Sequence, residues 1–162
     1  MSQFNIYLKL PDYLSQWLQN EFWEEESGRV CFPKQSAENL LFERFLRKRP
    51  ANIPPELSVN GDGLPVKVPT FAGKNPATFN YLPPAGRRVL VGIIRRRFKR
   101  MLREELDGFN PRHVQITDLI EVFAEKHGIE PDPKNWEAIR QMYYRMRKDD
   151  ENIVHSSQDD EC

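Results

Sequence analysis

The residues best placed to do chemistry in this chain are its cations. Within RRVLVGIIRRRFKRMLREEL, Arg96, Lys99, Arg100 and Arg103 recur at i, i+3, i+4 and i+7, with Arg95 and Arg97 beside them. On a helix that spacing makes a basic ridge, because residues three and four apart lie on one face. Such a ridge can track phosphates, each neutralised phosphate releasing condensed counterions. Arginine adds a planar fork that suits phosphate or guanine. The plainer reading is an amphipathic core helix whose charged face is solvated. A second group lies near the C-terminus, where Arg140, Tyr144, Arg145, Arg147 and Lys148 flank an apolar stripe of Trp136, Ile139, Tyr143 and Met146. Basic residues beside an exposed tyrosine suit a helix that meets a nucleic-acid backbone or groove. Core packing accounts for Trp136 and Tyr143 without any ligand.

Other chemistry finds no pattern. Gly61 and Gly63 stand in a turn sequence without the lysine and following helix of a phosphate loop. His113, His127 and His155 are scattered, with no metal-ligand spacing. Cys31 has no histidine nearby and sits in a short apolar run, which suggests a structural role. Glu24-Glu25-Glu26 reads as a solvated charge run. Asp107, His113, Asp118 and Glu121 do not form a recognisable nuclease set. No catalytic residue, metal site or small-molecule cofactor is expected, and the chain is not read as an enzyme.

The balance of 24 Lys/Arg against 24 Asp/Glu hides an asymmetry. Residues 1–86 hold 9 cations and 9 carboxylates, residues 87–148 hold 15 and 9, and residues 149–162 hold 0 and 6. A basic segment followed by an acidic tail points to a polyanionic partner. No run approaches 18 apolar residues, and MSQFNIYLKLPDY lacks both a basic n-region and a long apolar core. Neither a membrane span nor a signal peptide is expected. Two cysteines make no disulfide framework. A cytoplasmic protein is the expectation.

The elements that must position the cations are legible as patterns. Phe4, Ile6, Leu8 and Leu10 alternate as in a strand over 3–10, and Leu14, Trp17, Leu18 and Phe22 recur as in a helix to about 23. Arg29 to Phe32 suggests a short strand. Ser36 can cap a helix running to Arg49, which Pro50 stops. Leu57 and Val59 face Leu64, Val66 and Val68 across Asn60-Gly61-Asp62-Gly63, a hairpin pattern in which Pro65 and Pro69 confine one strand to an edge. Residues 70–86 read as an ordered loop. Helices follow over 87–107, from a Thr117 cap to His127, and from Asp132-Pro133 to about Lys148, while 149–162 reads as a disordered acidic tail. The expected fold is α+β: a small, mostly antiparallel sheet with two helices in 1–86, then a three-helix unit in 87–148 resembling helix-turn-helix.

The motifs IYLKLPDYLSQWL, CFP, FNYLPP, HGI and MYYRMR resemble small uncharacterised proteins of bacterial prophages and mobile elements. The resemblance covers residues 4–148 and leaves out the acidic tail. It implies no established activity and transfers no functional residue, but places the chain among proteins that often act near DNA.

Nucleic acid, most simply double-stranded DNA, is therefore the expected partner, held by Arg95, Arg96, Lys99, Arg100 and Arg103 and by Arg140, Tyr144, Arg145, Arg147 and Lys148. The alternative is a protein-interaction or structural accessory module, in which the basic face meets an acidic protein partner or a second copy of the chain.

Overall fold

The computed structural model describes residues 4–54, 56, 63–109 and 114–158, the last five as backbone alone. The chain is α+β and divides into two compact units, Met1–Arg96 and Arg97–Cys162. The division falls inside a helix rather than ahead of residue 87, where charge and composition shift.

The first unit is built on a four-stranded sheet. Strand β1 (Asn5–Leu8) pairs antiparallel with β5 (Leu64–Lys67), in the register Ile6↔Val66 and Leu8↔Leu64. The alternation seen in the sequence is real: Ile6, Leu8, Leu64 and Val66 are buried, and the residues between them are not. Strand β3 (Arg29–Val30) joins β5 in parallel through Val30↔Val66, and β2 (Trp23–Glu24) pairs antiparallel with β3. The order is β1-β5-β3-β2, so the sheet is mixed, with β5 in its interior.

Pro65 thus stands in an interior strand and not on an edge. The Tyr7 N–H donates to Glu56 Oε2 at 2.9 Å, away from β5, so the Tyr7↔Pro65 pair asks no N–H of the proline. On the other side β3 offers only one registered residue, so the missing donor costs little there. The other half of the expected hairpin, residues 57–62, lies outside the described residues.

Helix α1 (Asp12–Phe22) follows Pro11 and buries Tyr13, Leu14, Trp17 and Leu18, a stripe at helical spacing that packs on β2 and β3. Helix α2 (Ala37–Phe45) starts as expected, the Ser36 hydroxyl accepting from the Asn39 N–H at 3.1 Å. It ends four residues earlier than its pattern suggests. Leu46 is buried with extended backbone, and Arg47–Lys48 form β4, paired with β6 (Phe79–Tyr81) inside the expected loop. Pro50 disfavours helical geometry at Arg49, whose N–H instead reaches the Thr78 carbonyl at 3.2 Å. The cations Arg47 and Lys48 therefore belong to a two-stranded ribbon and not to the last turn of a helix.

Helix α3 (Pro84–Leu106) is unbroken across the division between the units. Its buried residues Leu90, Ile94, Phe98, Leu102 and Leu106 step by four. Each step advances about 40° around an axis of 3.6 residues per turn, so the buried line spirals. Leu90 and Ile94 belong to the first unit, and Phe98, Leu102 and Leu106 to the second.

In the second unit Phe98 meets Phe123 of α4 (Ile116–Lys126) edge to face at 5.7 Å, among buried Ile120, Ile129, Ile139 and Tyr143. Helix α4 starts ahead of the expected Thr117 cap, with Gln115 as its N-cap. Its end follows the pattern: Gly128 has φ 68°, and the N–H of buried Ile129 reaches the Ala124 carbonyl at 2.9 Å. Helix α5 (Pro133–Gln158) opens with Asp132 Oδ1 accepting from the Asn135 N–H at 2.7 Å. It does not stop at Lys148 but runs on through Gln158, so Asp149–Gln158 is helical and not a disordered tail. Asp149, Asp150, Glu151 and Asn152 hold no glycine or proline to break the helix, which explains the continuation.

Candidate nucleic-acid interface

The five candidate cations on α3, Arg95, Arg96, Lys99, Arg100 and Arg103, do not form one group. Arg96, Lys99, Arg100 and Arg103 share one exposed face of the helix. Among the described residues Arg96, Lys99 and Arg100 make no ion pair with a carboxylate. Arg103 does: its Nη2 lies 3.3 Å from Asp150 Oδ1, in a pair whose side chains are 45% and 52% exposed. Arg95 is turned about a quarter of the circumference away from the centre of this ridge. It lines a groove with Tyr7, Leu8 and Lys9. Burial pushes the Tyr13 hydroxyl up from its ordinary pKa, and the positive charge of Arg95 opposes that shift.

On α5 the face that carries Arg140, Tyr144, Arg147 and Lys148 is solvent-facing, while Arg145 sits about 140° round from Arg140. Arg140 is already occupied. Its Nη1 lies 3.1 Å from Glu137 Oε1, and its guanidinium stands over the rings of Trp136 at 5.7 Å and Tyr144 at 5.3 Å. Arg147 stands over Tyr143 at 5.8 Å. Tyr143 itself is core: it is buried, and its hydroxyl donates to Asp107 Oδ1 at 3.2 Å. Burial and then the Asp107 charge push its pKa up.

These contacts fix how α3 and α5 meet within the second unit. Asp107 bonds Tyr143, while Arg103, one turn earlier, pairs with Asp150 farther along α5. The touching edges run in opposite directions. The Arg103 end of the ridge is therefore brought beside the acidic end of α5, not beside Arg140 to Lys148. The two basic groups of the sequence do not merge into one patch. The charge of the two units makes the same point: Met1–Arg96 holds 13 Lys/Arg against 9 Asp/Glu, and Arg97–Cys162 holds 11 against 15.

The helix-turn-helix resemblance also weakens. The α4–α5 connection runs from His127 to Asp132, longer than the three or four residues of that motif's turn. His127 is held in the core, its ring 4.6 Å from Phe123 and its Nε2 2.9 Å from Glu105 Oε1, which also binds Lys126 at 3.1 Å. Cys31 is a half-buried thiol whose pKa is raised by burial first and then by the Glu24 carboxylate. His113 lies outside the described residues. Among the described residues, no group of three or more His, Cys, Asp or Glu side chains is arranged to hold a metal ion, and no helix is long and apolar enough to cross a membrane.

The fold and the exposed cations define an α+β chain with a basic helix face. No family model matches the chain, and no curated protein or solved structure matches it either.

Proposed function

We propose that the chain binds nucleic acid, with double-stranded DNA as the ligand, by laying the outer face of α3 along the phosphate backbone. One observation carries this reading: Arg96, Lys99 and Arg100 lie exposed on one helical face, and no described carboxylate of the molecule pairs with them. Three cations at this spacing repel one another, and a polyanion relieves that repulsion while releasing its own counterions. Arg103 extends the row once Asp150 yields it. Tyr144, Arg147 and Lys148 of α5 face solvent apart from this row, and Arg140 is restrained by Glu137.

The test is fluorescence anisotropy of a labelled duplex titrated with the full chain at several KCl concentrations. Lys99→Gln/Arg100→Gln is expected to flatten the slope of log affinity against log salt by about 1.8, at about 0.9 for each phosphate left without its cation. Arg96→Glu/Arg100→Glu is expected to abolish duplex retention and leave oligomer size unchanged. No duplex binding at low salt, or a slope indifferent to both pairs, overturns the reading. A changed oligomer size with unchanged duplex affinity would move the same face to a protein partner.

A further inference from the structure

A separate concentration of positive charge lies wholly within the first unit. Between the end of β1 and the N-terminal half of α3 runs a groove of about 440 Å³, open to solvent. Arg88 and Arg95 reach it from positions two helical turns apart, Arg87 from beside the first, and Lys9 from just past the end of β1. Tyr7, Leu8, Val91 and Gly92 complete its lining. Among the described residues no carboxylate lines it, and the nearest, Glu56, is engaged by the Tyr7 N–H and Arg87. Arg87 is neutralised, because it pairs with Glu56 and its Nε donates to the Leu82 carbonyl at 3.0 Å. Among the described residues Lys9, Arg88 and Arg95 have no such partner.

We propose that this groove is a binding site for a phosphate-bearing ligand of nucleotide size. The charge calls for an anion of more than one negative charge, because three unpaired cations face one concave volume. Two guanidinium forks favour phosphate oxygens, which accept paired hydrogen bonds. The volume falls in the range of about 300–1,000 Å³ typical of small-molecule sites, so the groove exceeds the needs of a single simple ion.

Gly92 supports the same conclusion from the opposite direction. A glycine inside a helix costs about 1 kcal/mol relative to alanine. Nothing in the packing requires it, since a Cβ at Gly92 would meet no atom within 4 Å. What its bare backbone does is leave open the stretch of groove lining between Arg88 and Arg95.

The phosphate has two possible sources: a free nucleotide or the phosphorylated end of an oligonucleotide. The groove side of α3 is turned about a quarter of the circumference or more from Arg96 and Arg100, so the two sites can be tested separately through those residues.

The experiment is isothermal titration of the full chain with inorganic pyrophosphate at low ionic strength, with chloride at matched ionic strength as the control. Saturable binding is expected. Arg88→Gln/Arg95→Gln should weaken it by at least about tenfold, the factor implied by removing a charge-assisted hydrogen bond. Gly92→Leu, which adds bulk to the groove lining without removing a charge, should weaken it as well. Arg96→Gln/Arg100→Gln should leave it unchanged. The altered side chains at 88 and 95 are exposed, so unchanged circular dichroism is expected for that pair. Absence of saturable binding, or pyrophosphate affinity that survives both groove variants, overturns the proposal. Two further arms identify the source. Tighter binding of a nucleoside triphosphate than of pyrophosphate assigns a free nucleotide. A preference for a 5′-phosphorylated over an unphosphorylated oligonucleotide, abolished in Arg88→Gln/Arg95→Gln, assigns a nucleic-acid end.

Discussion

Asp150 is the residue whose removal tests the proposed interface most sharply. Its carboxylate holds Arg103, the last cation of the α3 row, at 3.3 Å, with both side chains about half exposed. An exposed ion pair of this kind contributes about 0.2–1 kcal/mol. A duplex that recruits Arg103 must first displace that carboxylate, which is tethered to the same unit and so present at high effective concentration. Asp150→Asn removes the competitor without shortening α5, and as a surface change it should move stability by no more than about 0.5 kcal/mol. Converted at about 1.4 kcal/mol per factor of ten, the released pair corresponds to a gain in duplex affinity of roughly 1.4- to 5-fold. The salt slope should steepen by about 0.9, because one more phosphate is neutralised. Adding Asp149→Asn and Glu151→Gln should enlarge the gain, because both lie on the same acidic end of the helix. The assay is anisotropy of a labelled duplex across a KCl series, wild type beside each variant. If Asp150→Asn binds with equal or weaker affinity and an unsteepened slope, Arg103 takes no part and the acidic end of α5 does not compete.

Two further outcomes are expected. Asp132→Ala removes the side-chain acceptor of the Asn135 N–H at the start of α5 and should cost about 1 kcal/mol, seen in urea denaturation as a lower midpoint with unchanged m-value. In a Cys162→Ser background, Cys31 should be alkylated by iodoacetamide more slowly than a free thiol at pH 8, because burial and Glu24 hold its pKa up. Its folded-state pKa is raised, so the associated stability is whole below the unfolded thiol's pKa and declines as pH climbs through the folded value. Rapid alkylation of the native chain at pH 8 would contradict this.

Much of the fold was legible in the sequence because it rests on local rules. The period-two alternation of Ile6 and Leu8, the helical spacing of Leu14, Trp17 and Leu18, the Ser36 and Asp132 caps and the Gly128-Ile129 stop each depend on neighbours a few residues away. The exposure of Arg96, Lys99 and Arg100 followed from the same helical period, since a buried line of Leu90, Ile94 and Phe98 leaves them outward. What the sequence could not decide depends on partners distant along the chain. Arg47–Lys48 left their helix for a strand because residues 79–81 were there to pair with them. Pro65 stands in the sheet interior because its pairing with Tyr7 asks no N–H of it, the Tyr7 N–H pointing away from β5 to Glu56. Arg95 parted from its basic neighbours because Tyr7, Leu8 and Lys9 lie across from it, and Arg103 gave up its freedom to Asp150, 47 positions away. Charge and periodicity along a chain say which side chains face outward. Only the packing of one element against another says which charges face each other, and whether they meet as allies around a groove or as opposites in an ion pair.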